Sequence, residues 1–344
     1  MLTKSQYSAS KSNLILSVFI SIVYAYVLSS LPHFLFKDRD NYLTIYAVDY
    51  EYGLSQIKTV LGFLFNEPVF YLVNKGLDSI WHDPTLTVKI IVFINCFGVS
   101  LFSLRSFPNI FVGIFFLVLL FFNVQFFATQ LVTLRQGFGL VFLLLFYDRI
   151  KSMKWKLVFI ASLGLIHNSF YIICAFVGIN ELLENVFKID KPYRRIIFLI
   201  LLGLIINAIL VVITTLVGSK QSLTNFDNTS SGAMFAVWLM VFLVIISIKK
   251  GTIFNSKVDS AATLSILGLI IYLTSYFLSP IGGRIIGSFI PFIFLVLFKN
   301  LKEKELITLI LLCGLNFFLF YNGSTEAFLA VKLSEFWHYF FLNF

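Results

Sequence analysis

The chain has 344 residues, of which 59% are hydrophobic, 18% aromatic and only 12% charged. A soluble domain carries about 25% charged residues, so the composition excludes one and describes an all-α polytopic integral membrane protein. The net charge of +9 does not point to nucleic acid; in a membrane chain it reads first as cationic bias in the cytoplasmic loops.

Apolar runs of about 20 residues recur along the chain, each able to cross a hydrocarbon core of roughly 30 Å. The first, 14–31, follows Lys4 and Lys11 and lacks a small-residue cleavage site, so it is expected to be a retained span. The segment 32–85 comes next, an external loop with Asp38-Arg39-Asp40-Asn41-Tyr42 near its start and Asp49, Glu51 and Tyr52 beyond. After Glu67-Pro68, the residues Phe70, Val73, Leu77, Ile80 and Trp81 recur at helical spacing, which predicts an amphipathic helix near 68–81. Pro68 suits its first turn. Glu67 is either a helix-start carboxylate matched to the dipole or a carboxylate at the edge of an external cavity.

Spans follow at 86–104, 109–127 and 131–148. Arg135 stands in this apolar landscape with few ionisable neighbours in sequence. A guanidinium near membrane depth is costly unless it is paired or lines a wet cavity, so it is a candidate functional residue. The cationic connectors Arg149/Lys151/Lys154/Lys156, Lys188/Lys191/Arg194/Arg195, Lys249/Lys250/Lys257 and Lys299/Lys302/Lys304 all belong on the cytoplasmic face by the positive-inside rule. A single crossing between the first two would put one of them outside. The conflict disappears if 156–179 enters and returns as a re-entrant helical hairpin broken at Gly164-Leu165-Ile166-His167-Asn168-Ser169, with irregular backbone that lines protein or water. A conventional crossing with one misplaced loop is the alternative. Further spans are expected at 196–216, 233–248, 260–279, 284–298 and 306–322, giving about 10–12 membrane segments in one transmembrane domain, 1–344. The polar loop 218–232 and the Ser279–Gly287 turn holding Arg284 would be external. The tail 323–344 is an interfacial helix or a last span. Cys96, Cys174 and Cys313 lie inside apolar runs as small core residues, without disulfide or metal spacing.

The external face then holds Arg39, Arg135 and Arg284 as its arginines, with His167 at the hairpin tip. A lone external arginine can also be a simple salt-bridge partner. Arginine presents a charged fork that matches phosphate oxygens bidentately, and several converging near the outer leaflet would bind a lipid diphosphate. A sugar on such a carrier already has a good leaving group and needs positive charge more than acid catalysis. Histidine is a base or donor near neutral pH. No phosphate loop, paired metal ligands or nucleophile elbow is visible.

Five segments stand in one order: Phe36-Lys37-Asp38-Arg39-Asp40-Asn41-Tyr42, Asn66-Glu67-Pro68-Val69-Phe70, Leu134-Arg135-Gln136-Gly137-Phe138-Gly139, Leu165-Ile166-His167-Asn168-Ser169 and Gly282-Gly283-Arg284. Together they resemble the EpsG-like branch of the Wzy O-antigen and exopolysaccharide polymerases. The match departs at Gly139, an Ala in many relatives, and has Ala47-Val48-Asp49 where some have Gly-x-Asp. The resemblance implies a GT-C-like multi-pass glycosyltransferase of the bacterial cytoplasmic (inner) membrane. It would transfer a growing glycan from undecaprenyl diphosphate onto the next lipid-linked repeat unit, at the outer face and without cofactor or metal. Arg135 and Arg284 would handle diphosphate, with His167 near the reacting sugars. Glu67 joins them as a catalytic candidate, and Arg39, Asp38, Asn41, Tyr42 and Gln136 as substrate-binding ones. His167 is the first choice to activate the acceptor, with Asp38 or Glu67 as alternatives. A chain-length regulator is a possible partner, and nucleic acid is not. A flippase for the same lipid-linked oligosaccharide is the principal rival, and an acyltransferase of surface polysaccharide is another. Related halves, usual in transporters, are not visible.

Overall fold

The computed structural model describes residues 11–342 except 190, 217–231, 250–252, 255–258, 279–280 and 300. The polar loop 218–232, Lys250, Lys257 and the Ser279-Pro280 start of the Arg284 turn therefore lie almost entirely outside the described residues. The described chain is helical, with one isolated bridge between Phe36 and Leu329. It forms two compact units, 1–174 with 313–344, and 175–312.

In the first unit, α1 (Lys11–Ser30) packs along α5 (Pro84–Arg105). Asp83 starts α5 by accepting from the amides of Thr85 at 2.8 Å and Leu86 at 3.2 Å, with Pro84 in the first turn. A buried hydrogen bond from Ser21 to Ser100, 3.1 Å, ties the two helices together. Between them in sequence, the segment 32–83 folds as short helices α2 (Tyr50–Ser55) and α3 (Val60–Phe65), then α4 (Pro68–Trp81). The backbone before α2 is a π-helix, Tyr42–Val48. Only the start of the expected apolar stripe of α4 is buried: Phe70 is fully enclosed while Ile80 and Trp81 are exposed. In the closing turn of α4, Asp78 accepts from the Tyr50 hydroxyl at 3.0 Å.

The apolar run 109–127 is not one straight span. It breaks at Asn123 into α6 (Ile110–Phe122) and α7 (Val124–Leu131), bent by 89°. Asn123 causes the break because it caps α7, accepting from the Phe126 amide at 3.0 Å, while its Nδ2 donates to Asn316 Oδ1 at 3.0 Å. α8 (Leu134–Phe146) follows at once. A β-carbon at Gly137 would lie 2.4 Å from the Thr129 carbonyl, so glycine lets α8 close against α7. Gly139 has a similar reason, because a β-carbon there would meet the buried Phe170 ring at 2.5 Å.

α9 (Met153–Gly164) and α10 (Ser169–Asn185) are separated by a turn at 165–168. Near that turn the two come together, with the Cys174 thiol 3.4 Å from the Leu157 carbonyl. With 12 residues, α9 rises about 18 Å, well short of a bilayer core. The helices are interrupted where the Gly and polar residues stand.

In the second unit, α13 (Ser260–Ser275) is almost wholly buried among α11 (Pro192–Leu216), α12 (Ala233–Ile248) and α14 (Ile281–Phe298). Asp259 caps α13 through the Ala262 amide and pairs with Lys249 at 2.7 Å, Lys249 being buried and Asp259 half-buried. α15 (Glu303–Tyr321) leads into α16 (Leu333–Leu342). By length and composition, α1, α5, α11 and α15 qualify as membrane spans, and the bent pair α6–α7 makes a fifth. α12, α13 and α14 are shorter apolar helices, so the larger count expected from hydropathy includes segments that are short or broken.

α16 packs its aromatic face against α6 and α15. Phe122 stacks on Phe317 at 4.3 Å, and Trp337 meets Phe320 and Phe121 at 6.1 and 6.3 Å. Beside this cluster is an apolar cavity of about 730 Å³ whose walls include Ile20, Tyr24, Leu117, Phe121, Tyr321 and Trp337.

Candidate active site

Arg135 is the second residue of α8, and its guanidinium forms an ion pair with Glu67, the residue that starts α4. Glu67 is buried and has a left-handed backbone, φ 55°, immediately before Pro68. A non-glycine residue in that region costs on the order of 1–3 kcal/mol and persists only where its surroundings enforce it. The enforcing contacts are visible. Glu67 Oε1 accepts from the Asn168 amide at 3.1 Å, and Asn168 Nδ2 donates to the Phe65 carbonyl at 2.7 Å. The Tyr171 hydroxyl donates to Leu64 O at 3.0 Å, and the Val69 amide donates to Leu165 O at 3.1 Å. The segment 64–69 is thus clasped to the turn between α9 and α10.

His167 occupies that turn, half-buried, one residue before Asn168. Its Nδ1 accepts from the Ser169 amide at 3.2 Å and lies 2.8 Å from the Ser169 hydroxyl. Arg135 is covered on one side by Tyr46, whose ring centre is 4.7 Å from the guanidinium carbon. Tyr42 also lies within hydrogen-bonding reach of Arg135. The Arg135 side chain is 28% exposed against 7% for Glu67, and its buried Nε has no acceptor among the described residues. Burial pushes the Glu67 carboxyl above the ordinary carboxylate range, against the opposing influence of Arg135 and the Asn168 amide. Burial likewise raises the Tyr46 and Tyr71 phenols, with Arg135 opposing.

Arg39 is placed differently. It is buried, donates from Nε and Nη2 to the Leu131 carbonyl at 2.9 and 2.7 Å, and stacks over Phe36 at 4.6 Å. Burial pulls it down to about 10, which leaves it charged at neutral pH. Asp38 and Asn41 are exposed beside it, and Gln136 is buried next to Arg135. Arg284 is exposed in the first turn of α14, in the second unit. The structure therefore brings Arg135, Glu67, Tyr42 and the His167 turn together in the first unit. Tyr46, Asn168 and Tyr171 are additions that the sequence reading did not assign. Tyr46 follows Tyr42 by four residues, and Asn168 sits inside a segment already singled out. Among the described residues, no three His, Cys, Asp or Glu side chains gather as ligands for a metal ion.

The profile of the EpsG family matches residues 15–341, nearly the whole chain. The chain belongs to the EpsG family. All five segments from Phe36 to Arg284 lie inside the match. EpsG membership associates the protein with glycosyltransferase-like polysaccharide polymerases. Neither the curated proteins nor the solved structures include a match to it.

Proposed function

We propose that this EpsG-family protein polymerises exopolysaccharide or O-antigen from repeat units carried on undecaprenyl diphosphate. The growing glycan would pass from its lipid carrier to the next lipid-linked unit at the outer face of the bacterial cytoplasmic membrane. The observation that carries this reading is the half-covered Arg135 guanidinium, fixed at the start of an apolar helix with an Nε donor to spare. Positive charge fixed in a water-poor site stabilises a departing diphosphate without reorganisation. The Tyr46 face and the Tyr42 hydroxyl hold the fork in one orientation. Arg39, engaged with the Leu131 carbonyl, would shape the external segment around that fork. Arg284 is the second candidate for the diphosphate, as the family segment Gly282-Gly283-Arg284 implies. The GT-C-like architecture belongs to this same proposal.

The test uses purified protein in lipid nanodiscs with lipid-linked repeat units. A ladder of lengthening glycans supports polymerisation, whereas movement across vesicles without a ladder supports a flippase. Arg135→Ala and Arg284→Ala are expected to leave protein in the membrane and to abolish long chains. Normal chain lengths in both would sink the reading.

A further inference from the structure

We propose that Arg135 and Glu67 are an exchangeable pair: the donor diphosphate takes Arg135 from Glu67, and the uncovered carboxylate receives the proton of the acceptor hydroxyl. This rests on the polymerase reading and assigns the proton to a particular residue. Three observations support it.

The first concerns His167. A backbone amide can only donate, and the Ser169 amide points at Nδ1. Nδ1 must then carry a lone pair, and the neutral ring holds its proton on Nε2. A ring arranged in this way, with its lone pair already engaged by the Ser169 amide, is a poor starting point for a base. The second is the order of exposure. Arg135 is the more exposed partner and Glu67 the more buried one, so an anion arriving from outside meets the guanidinium first. The third is anchorage. Glu67 is held by the Asn168 amide and by its own constrained backbone, so the carboxylate stays in place when Arg135 turns to a phosphate.

Electrostatics point the same way. Burial raises the Glu67 carboxyl, and Arg135 is the strongest influence holding it down. Losing Arg135 to a phosphate removes that restraint and moves the carboxylate toward the range where a general base works best. The other titratable groups facing Glu67 are the Tyr46, Tyr71 and Tyr171 phenols. Of these, Tyr46 and Tyr171 belong to the segments around α2 and α10, and Tyr71 to α4 itself.

The step balances. The acceptor oxygen forms its bond to C1 of the donor sugar while its proton passes to Glu67. The bond from C1 to the diphosphate oxygen breaks, and both electrons leave with the lipid diphosphate, beside Arg135. Release of that product lets Glu67 surrender its proton to solvent and pair with Arg135 again.

Glu67→Gln keeps the size and an acceptor for the Asn168 amide. In nanodiscs it is expected to slow chain extension at least about 100-fold, the scale of a lost general base, while binding farnesyl diphosphate at least as tightly as the natural protein. Loss of binding together with turnover, or extension within a few-fold of the natural rate, overturns the exchange. A second measurement needs no variant. Infrared difference spectra of the natural protein, recorded across a pH series, should show the Glu67 carboxyl titrating at higher pH once farnesyl diphosphate is added, and an unshifted titration overturns the proposal. Failure of the natural protein to build a ladder would instead refute the polymerase reading, so the two failures are distinguishable.

Discussion

At Glu67, opposing influences set a measurable pH dependence. Burial raises its folded carboxyl above the ordinary carboxylate range, and Arg135 opposes without reversing the shift. A group raised on folding binds its proton more tightly in the native state. Its contribution to stability is therefore full below the ordinary carboxylate range and is lost as pH rises through the raised value. Thermal melts in detergent should show the natural protein losing stability across that window, with Glu67→Gln removing this part of the slope. Identical pH profiles for the two proteins would show that Glu67 does not titrate in this way. Arg135→Lys is a second residue-scale case. Lysine keeps the charge but loses the planar fork and its stacking on Tyr46, so extension should fall at least tenfold with protein levels unchanged, as read by glycan ladders and immunoblot. Gly137→Ala should destabilise by about 1–3 kcal/mol, because its methyl group would press on a backbone carbonyl rather than on a flexible side chain.

The elements were readable in proportion to how continuous their apolar runs are. The expected spans 86–104, 196–216, 233–248 and 306–322 lie within a few residues of α5, α11, α12 and α15. Pro84, Pro192 and the acidic first turn of α15 mark starts that composition alone conveys. The helix break at 165–168 was also legible, because Gly164, His167, Asn168 and Ser169 interrupt the apolar run there. The break at Asn123 was not, since hydropathy averages one asparagine away among its phenylalanines. Its meaning depends on Asn316, far along the chain. Asn123→Leu should thus cost more than the roughly 1 kcal/mol of a lost cap, because it also strands the Asn316 amide; denaturation of the purified variant measures this. The clasp around Glu67 was hidden for a similar reason. Hydrogen bonds from Asn168 and Tyr171 to backbone carbonyls carry no residue-type signature at the receiving end. At the hairpin itself, cysteines at Ile150 and Asn185 should label from the same side of the membrane in intact cells; labelling from opposite sides would mean a full crossing.

For the molecule as a whole, the division into two units places the Arg135 pair in one and Arg284 in the other. The first unit is itself assembled from distant parts. The Lys37 amide donates to the Phe328 carbonyl at 3.2 Å and the Ala330 amide to Leu35 O at 2.9 Å. The Lys37 ammonium also caps the carbonyls of Glu326 and Ala327 at 2.9 and 3.0 Å. Leu35, Phe36 and Lys37 lead directly into the turn that carries Arg39 and Tyr42. Biosynthesis consequently imposes a delay: the segment that carries Arg39 and Tyr42 emerges early, yet its seat does not exist until residues 326–330 have left the ribosome. Until then the young protein must keep this segment open and waiting.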